Sequence, residues 1–274
     1  MIKPVITAVC LLVSSFVFSQ KTISDLIAAE RSFAAYSVAH STKEAFEAFI
    51  DSSSIMFEND KPVRAVEYWR KREKRPGVLN WYPQVAEITP SGNFGFTTGP
   101  WTFRASPSDT VAARGHYMTV WHLDKSGNWK FLVDLGAENG PAGDSSFVRI
   151  FDMPKTSATT KAITHIYPLV ARESNFHKQF KQNRLKAYHS VLSAQSGLLR
   201  NGKATALLPA GQDALIRATP SKAVFHMDGW GVSEKEDMGY TYGTITINGK
   251  TDNYLRIWRH ESRGWVIAAE VVRY

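Results

Sequence analysis

The chain has 274 residues and a formal net charge of +8, and 43% of its residues are hydrophobic and 12% aromatic. This composition is typical of a globular protein with a buried core and excludes a disordered chain. The length allows one large domain or two of ordinary size. Because the only cysteine is Cys10 near the N-terminus, a mature chain that lacks this segment has no disulfide and no cysteine metal site.

Residues 1–19 have the pattern of a secretory signal peptide. A short cationic start at Lys3 precedes an almost continuous apolar run from Val5 to Phe18, and Ser19 suits the cleavage site. A membrane anchor is the rival interpretation, but the run is shorter than the roughly 20 residues that a spanning helix needs. We therefore predict cleavage near Ser19 and a secreted or periplasmic protein without membrane attachment.

Positive charge is concentrated in the second half of the chain. Residues 20–140 carry 14 basic and 14 acidic side chains, whereas residues 167–274 carry 15 basic and 9 acidic ones. Such an excess can favour an anionic partner, but a solvated basic face is the simpler explanation. Together with secretion, this argues against a nucleic-acid partner.

Three helices are predicted at the start of the first half. Residues 22–40 have a helical apolar period that includes Tyr36. Ser41 to Glu44 form a capping box for a second helix, and Asp60 is predicted to cap a third that ends near Lys74. Four strand candidates then follow: Trp81–Thr89, Phe94–Arg104, Ala113–Leu123 and Trp129–Leu135.

The second half repeats this order after a connector at residues 139–166. Its helical patterns precede four strand candidates, and Asn248-Gly249 is a strong hairpin turn. Two hairpins match closely, since each reads aromatic, three residues, Trp, turn, Trp, four residues and carboxylate. They start at Tyr117 and Tyr254. We predict two domains, at residues 20–138 and 167–274.

Helices followed by a meander of bent antiparallel strands predict an α+β fold. The pattern resembles the nuclear transport factor 2-like superfamily, which includes ketosteroid isomerase and SnoaL-like polyketide cyclases. The resemblance is carried by Glu30–Phe33, Phe57–Val63 and the hairpin from Trp121 to Asp134. It implies two tandem cone-shaped domains, each with about three N-terminal helices packed on a curved antiparallel sheet. This fold hosts enzymes, binders and scaffolds alike, so it does not define the function.

The resemblance implies candidate catalytic residues in the first half. Glu58 stands where a catalytic base is expected, Asp134 is the second carboxyl group, and Tyr36 is a hydroxyl donor. Structural roles are the alternative for each residue. In the second half Arg200 stands at the position of Glu58, and Glu270, at the position of Asp134, is predicted to be a structural partner of an arginine or a backbone group.

The resemblance also implies aromatic-lined pockets between the helices and the sheet. The candidate ligand-binding residues are Trp69, Trp81, Trp101, His116, Tyr240, Tyr242 and Tyr254. No cofactor and no metal are predicted. His116 and His122 share one face of a strand, but six residues separate them by roughly 20 Å, too far for one ion.

Two functional hypotheses remain open. The first is a secreted protein that binds a small apolar molecule or a protein partner, with its two domains packed through their sheets as an intramolecular pseudo-dimer. The alternative is an isomerase, dehydratase or cyclase that uses the carboxyl groups of the first domain. A carboxyl group buried without a cationic partner favours the enzyme.

Overall fold

The computed structural model describes residues 20–139, 149–150, 168–207 and 209–274. These residues form helices and two curved sheets, so the predicted α+β class is confirmed. The predicted signal peptide and most of the predicted connector lie outside the described residues. Within the described residues no helix has the length and apolar character needed to cross a membrane.

The first unit comprises the described residues 20–139 and 149–150. Its helices are α1 (Ile23–Ala39), α2 (Thr42–Phe49) and α3 (Ala65–Arg70). Its strands are β1 (Ile50–Glu58), β2 (Lys61–Arg64), β3 (Val78–Trp81), β4 (Val85–Ile88), β5 (Phe94–Arg104), β6 (Ala113–Leu123), β7 (Trp129–Glu138) and β8 (Arg149–Ile150).

The second unit comprises the described residues 168–207 and 209–274. Its helices are α4 (Pro168–Gln182), α5 (Arg184–Val191) and α6 (Gln212–Ala218). Its strands are β9 (Leu192–Arg200), β10 (Val224–Val232), β11 (Met238–Ile247), β12 (Lys250–Glu261) and β13 (Gly264–Val272).

Local side-chain caps explain where the first two helices begin. Thr22 and Asp25 form a reciprocal capping box at the start of α1. Ser41 caps α2, and its hydroxyl oxygen accepts a hydrogen bond from the backbone N–H of Glu44 at 3.2 Å. These oxygens satisfy N–H groups that have no partner within the helix. The predicted cap at Ser41 is confirmed.

The predicted cap of the third helix is wrong. Asn59 and Asp60 have φ values of 49° and 61°, and the flanking residues Glu58 and Lys61 pair across a hairpin. Two consecutive positive φ values form the tight turn that joins antiparallel strands, and Asn and Asp tolerate this conformation. Residues 59–60 therefore turn β1 into β2, and α3 begins only after Arg64.

Both sheets are mixed rather than purely antiparallel. Strand order is β2-β1-β7-β6-β5-β4-β8 in the first sheet, where β3 also pairs with β5, and β10-β11-β12-β13-β9 in the second. In each sheet the antiparallel meander ends beside a parallel strand, β1 next to β7 and β9 next to β13. A parallel pair needs a long crossover, and here most of the unit lies between its two strands.

Glycines allow the sheet to bend where the sequence predicts bending. The predicted strand at residues 81–89 is broken between β3 and β4, opposite Gly99. A Cβ atom on Gly99 would lie 2.0 Å from the carbonyl oxygen of Tyr82, and one on Gly243 would lie 2.0 Å from that of His226. Only glycine permits these close approaches of neighbouring backbones.

Alternation along the strands buries both faces of each sheet. In β6, Tyr117 and Trp121 face the helices of the first unit, whereas Met118 and Val120 face the other sheet. The second group belongs to an inter-sheet core formed by buried residues of both units. This core contains Phe94, Phe96, Met118, Val120, Val133, Leu135, Ala137, Leu199, Met238, Leu255, Ile257, Ala268, Ala269 and Val271.

Polar groups and rings also connect the two sheets. Arg259 and Glu87 form a buried ion pair with a distance of 2.7 Å between Nη1 and Oε2. The Phe94 and Tyr240 rings stack with centroids 6.3 Å apart. A charge pair inside an apolar interface has to be matched closely to offset its desolvation, so it favours one relative orientation of the sheets.

Candidate functional site

A cavity of about 1120 Å³ lies in the first unit. Helices α1–α3 and strands β6 and β7 contribute to its lining, and the exposed residues Ala112 and Arg114 show that it opens to the surface. Its aromatic walls are formed by Phe33, Phe46, Phe57, Tyr68, Trp69, Trp81, Trp101 and Tyr117. A concave space with aromatic walls is the place where a ligand site is expected first.

Two polar side chains face this cavity from neighbouring strands. Asp134 on β7 accepts a hydrogen bond at Oδ2 from the Thr119 hydroxyl at 2.6 Å. Tyr117 on β6 is 6% exposed, and its hydroxyl has no hydrogen-bond partner among the described residues. Burial raises the pKa of Tyr117, and the nearby Thr97 hydroxyl acts in the opposite direction, so Asp134 is the polar group of this pair that a ligand in the cavity can contact.

A third acidic group, Glu30 on α1, lies fully buried beside the cavity. Its carboxyl oxygens accept hydrogen bonds from Trp121 Nε1 at 3.0 Å, from Trp81 Nε1 and from the Thr97 hydroxyl. Burial raises the pKa of Glu30 to about 7, and the nearby charge of Asp134 acts in the same direction. The hydrogen bonds from these neutral donors lower the pKa against the effect of burial, but none of the donors carries a positive charge.

Asp134 is in a similar electrostatic position. Burial raises the pKa of its carboxyl group to about 6, against the effect of the hydrogen bond from Thr119. Within the described part of the chain neither Asp134 nor Glu30 forms an ion pair with a lysine or arginine. The first unit therefore holds two acidic groups near its cavity without a cation to balance them.

The structure does not bring the three predicted catalytic residues together. Asp134 lines the cavity. The Glu58 side chain is 41% exposed and forms an ion pair with Arg72 at 2.8 Å. Tyr36 is 38% exposed on α1, where its ring lies against His40 with centroids 4.2 Å apart. Only Asp134 is positioned to act on a molecule in the cavity.

Helix periodicity explains both the placement of Tyr36 and the omission of Glu30. The buried face of α1 contains Leu26, Glu30, Phe33 and Ser37, which recur at the four-three-four spacing of a helical stripe. Tyr36 lies to one side of this stripe. Glu30 could have been identified as a charged residue at the centre of this buried stripe. A search for the apolar residues of the helix alone does not find it.

The predicted ligand-binding residues lie in three different regions. Trp69, Trp81 and Trp101 line the cavity. His116 is buried on β6, where Nδ1 lies 2.8 Å from the Asn139 side-chain oxygen and burial lowers its pKa. The remaining three are outside the cavity, since Tyr240 and Tyr242 pack against the inter-sheet core and Tyr254 lies in the core of the second unit.

Charged side chains fill the corresponding interior of the second unit. Arg256 forms ion pairs with both Glu173 and Glu270, and Arg200 Nη2 lies 2.5 Å from Glu270 Oε1. All four side chains are fully buried. Although burial opposes ionisation, Arg256 holds the pKa of Glu173 at about 2. The predicted role of Glu270 as a partner of an arginine is confirmed.

Strand registers define which positions correspond in the two units. Thr119 pairs with Asp134 in the β6–β7 ladder, and Arg256 pairs with Glu270 in the β12–β13 ladder. Both ladders have a register shift just beyond this pair, before Trp121 and Trp258. The position of Arg256 in the second unit is thus occupied by Thr119 in the first.

No protein-family model and no curated protein matches the chain. Among solved structures, a protein with unknown function from Pectobacterium atrosepticum is 16% identical, with 39% of this chain and 87% of that one covered and a TM-score of 0.34. An NTF-2 like protein of unknown function from Shewanella oneidensis is 14% identical, with 39% and 97% covered and a TM-score of 0.31. A ketosteroid isomerase-like protein from Erwinia carotovora atroseptica is 16% identical, with 38% and 91% covered and a TM-score of 0.30. Each match covers 38–39% of this chain.

Proposed function

We propose that the first unit binds a small, largely apolar molecule in its cavity. The observation that carries this proposal is the aromatic-lined cavity, to which Asp134 contributes a carboxyl group without a cationic partner. A hydrogen bond between a ligand and a charged group contributes about 1.5–3 kcal/mol. The aromatic walls provide apolar contact area for the rest of the ligand.

A neutral fluorescent dye, N-phenylnaphthylamine, tests whether the cavity accepts apolar molecules. We expect saturable binding at one site, seen as enhanced dye emission and quenched tryptophan emission, because Trp69, Trp81 and Trp101 line the cavity. Met56→Trp places a large ring in the cavity lining and should weaken binding. Val224→Trp adds the same ring at a position 46% exposed on the second unit and should not. Absence of saturable binding, or equal binding by both variants, contradicts the proposal.

The second candidate function is proton transfer by Asp134. The observation that favours it is a carboxyl group with a raised pKa of about 6 that lies near the buried hydroxyl of Tyr117. A base with a pKa near neutrality removes a proton efficiently, and a tyrosine hydroxyl can stabilise the resulting oxyanion. This reading keeps the isomerase, dehydratase or cyclase hypothesis but assigns the hydroxyl to Tyr117.

Deuterium exchange distinguishes this candidate from simple binding. With cyclohexanone as probe in deuterated buffer, we expect exchange of the protons next to the carbonyl group to be accelerated, and Asp134→Asn to remove about 10²–10⁴-fold of the acceleration. Tyr240→Phe, outside the cavity, serves as the control. Exchange at the buffer rate with the native protein contradicts proton transfer and leaves the binding proposal intact.

We further propose that the units, residues 20–138 and 167–274, are tandem copies that form an intramolecular pseudo-dimer through their sheets. The shared inter-sheet core and the buried Arg259–Glu87 pair support this packing. The equivalent register shifts before Trp121 and Trp258 support an internal duplication. Small-angle scattering should give the profile of one compact particle, and a profile of two separated beads would rule the packing out.

Secretion remains a proposal that the sequence of residues 1–19 supports. Expression of the full chain in a bacterium with two membranes should place the protein in the periplasm or medium, with a new N-terminus at about Gln20. An uncleaved protein retained in the cytoplasm contradicts the proposal.

A further inference from the structure

In the second unit, the Arg256 side chain occupies a space whose rings and carboxylates suit a cation. The guanidinium carbon of Arg256 lies 4.5, 4.3 and 4.4 Å from the ring centroids of Phe176, Phe225 and Tyr254, and the same group forms ion pairs with Glu173 and Glu270. Aromatic faces attract cations, and carboxylates add charge-assisted hydrogen bonds. We call these five partners the Arg256 box.

The first unit has the same set of partners, which we call the first-unit box: Phe33, Trp81, Tyr117, Glu30 and Asp134. The motif Glu30–Phe33 matches Glu173–Phe176, and the matching hairpins align the tyrosines and the second carboxyl groups. Trp81 pairs with Trp101 on β5, and Phe225 pairs with Ile245 on β11.

The glycine pairs align the last position. Gly95 and Gly99 have the spacing of Gly239 and Gly243, so Trp101 is equivalent to Ile245. Trp81, the strand partner of Trp101, is therefore equivalent to Phe225, the strand partner of Ile245. The rings also cluster in space. The Trp81 centroid lies 4.8 Å from that of Phe33 and 6.5 Å from that of Tyr117.

What the first unit lacks is the cation. Thr119 stands at the position of Arg256, and Ala34 stands at that of His177, one helical turn after the buried glutamate in each unit. A threonine side chain is too short to enter the box. Four members of the first-unit box, Phe33, Trp81, Tyr117 and Asp134, line the open cavity, and the Trp81 indole N–H donates to Glu30 as Arg256 donates to Glu173.

We propose that the first-unit cavity binds an organic cation, with an ammonium, amidinium or guanidinium head group in the first-unit box where the second unit holds Arg256. This inference rests on the proposed binding function and specifies its ligand class. An acidic, aromatic pocket attracts a cation and repels an anion of the same shape.

The two acids contribute to this site in different ways. Trp81 and Trp121 already donate hydrogen bonds to the oxygens of Glu30. Glu30 therefore attracts a cation by its negative charge without a direct hydrogen bond. Asp134 lines the cavity and has one oxygen bonded to Thr119, which leaves it as the direct partner of the head group.

Charges at the mouth do not reverse this preference. The other charged residues of the lining are Arg114, Glu138 and Arg273. Arg273 is paired with Asp252 at 2.9 Å, whereas Arg114 and Glu138 are exposed, where water and salt screen them. Asp134 is therefore the one charged residue of this lining that is neither paired with an opposite charge nor exposed.

Three probes of one shape test the proposal: benzamidine (cationic), benzamide (neutral) and benzoate (anionic). In calorimetric titrations of the purified protein at neutral pH, we expect benzamidine to bind about tenfold or more tightly than benzamide, and benzoate to bind weakest. Equal or tighter binding of benzamide or benzoate overturns the proposal. So does the absence of benzamidine binding at millimolar concentration.

Variants locate the binding event. Thr119→Arg supplies the cation of the second unit to the first-unit box and should abolish benzamidine binding, whereas Asp134→Asn should reduce benzamidine to the affinity of benzamide. Thr251→Arg, at an exposed position on β12, adds the same charge elsewhere. It should change neither the affinity for benzamidine nor that for benzamide. Unchanged benzamidine binding by folded Thr119→Arg protein overturns the proposal.

The dye separates this proposal from the one on which it rests. If N-phenylnaphthylamine binds but benzamidine shows no preference over benzamide, the cavity binds ligands and the cation assignment is wrong. If the dye also fails to bind, the proposed binding function itself is wrong.

Discussion

Asp134 and Glu270 occupy equivalent positions on the last antiparallel strand of each sheet, β7 and β13, but their surroundings differ in charge. Glu270 lies between Arg200 and Arg256, and these cations lower its pKa despite its burial. Asp134 has only the Thr119 hydroxyl, so burial raises its pKa to about 6. Two replacements, Thr119 for Arg256 on one neighbouring strand and Glu58 for Arg200 on the other, separate a carboxyl group without a cationic partner from a structural network of ion pairs.

Glu30 should make stability depend on pH. Its pKa rises from an ordinary 4.5 in the unfolded chain to about 7 in the folded protein. Burial therefore costs nothing below about pH 4.5, and the cost grows to on the order of 3 kcal/mol above about pH 7. Glu30→Gln should gain stability relative to the native protein as pH rises through this window. The glutamine oxygen can accept from Trp81 while its amide donates to Thr97.

Urea unfolding at several pH values, followed by tryptophan fluorescence, measures this effect. Glu67→Gln on the exposed side of α3 is the control, since its side chain is 59% exposed. A Glu30→Gln variant whose stability follows the native curve at every pH would show that Glu30 titrates normally.

Asp134 should make the affinity for benzamidine depend on pH. Because its folded pKa is about 6, the carboxylate is present above that pH and lost below it, and affinity should fall about tenfold per pH unit below 6. Glu30 on α1 and Tyr117 on β6 also face Asp134, and protonation of Glu30 adds to the loss. Benzamide affinity should stay constant. Calorimetry at several pH values measures both, and a flat benzamidine curve contradicts the role of Asp134.

Removal of Arg256 should leave buried Glu173 without its main countercharge and Glu270 with Arg200 alone. We expect Arg256→Ala to destabilise the protein by roughly 3–5 kcal/mol, since a broken buried pair leaves an uncompensated charge. Arg263→Ala removes an arginine that is 47% exposed and paired with Glu261, and should cost about 0–1 kcal/mol. Urea unfolding compares the two. Equal small losses would show that the buried pairs contribute little.

Among the elements, the break between β3 and β4 depends on Gly99. Gly99→Ala would place a Cβ atom 2.0 Å from the Tyr82 carbonyl oxygen, so the strands must move apart at the edge of the cavity. We expect a loss of roughly 1–3 kcal/mol, as for other overpacked sites, together with weaker dye binding. Gly197→Ala meets only the end of Leu207 at 3.3 Å and should be milder. Thermal unfolding that ranks the two variants in the opposite order contradicts this account.

Elements specified by local chemistry were predictable from sequence, and those specified by distant contacts were not. Ser41 and Asn248-Gly249 act through their immediate neighbours, so the helix cap and the hairpin were identified. Asn59-Asp60 suits both a helix cap and a tight turn, and pairing between β1 and β2 selects the turn. The parallel contact of β1 with β7 joins residues far apart in sequence, which no local pattern indicates.

The same distinction applies to the site. Asp134 was identified because the resemblance implies a second carboxyl group and the hairpin from Trp121 to Asp134 provides one. The sequences Tyr117–Trp121 and Tyr254–Trp258 also display the exchange of Thr119 for Arg256, but an arginine in a strand usually indicates an exposed position. Its complete burial among aromatic rings requires the helices and sheet to be assembled.

At the scale of the whole molecule, the two units divide their tasks. The second is filled by its own ion pairs and offers one face of its sheet to the inter-sheet core. The first uses the opposite face of the same core and keeps an open cavity lined by Asp134. Residues Asn201 and Arg273 of the second unit also contribute to the cavity lining. The second unit therefore borders the cavity of the first.

A crystal structure of the protein with benzamidine tests the central claim most directly. The account predicts the phenyl ring against the aromatic wall and the amidinium group within hydrogen-bond distance of Asp134, between the rings of Trp81 and Tyr117. Benzamidine bound only at surface carboxylates, with the cavity free of it at saturating concentration, would contradict the account.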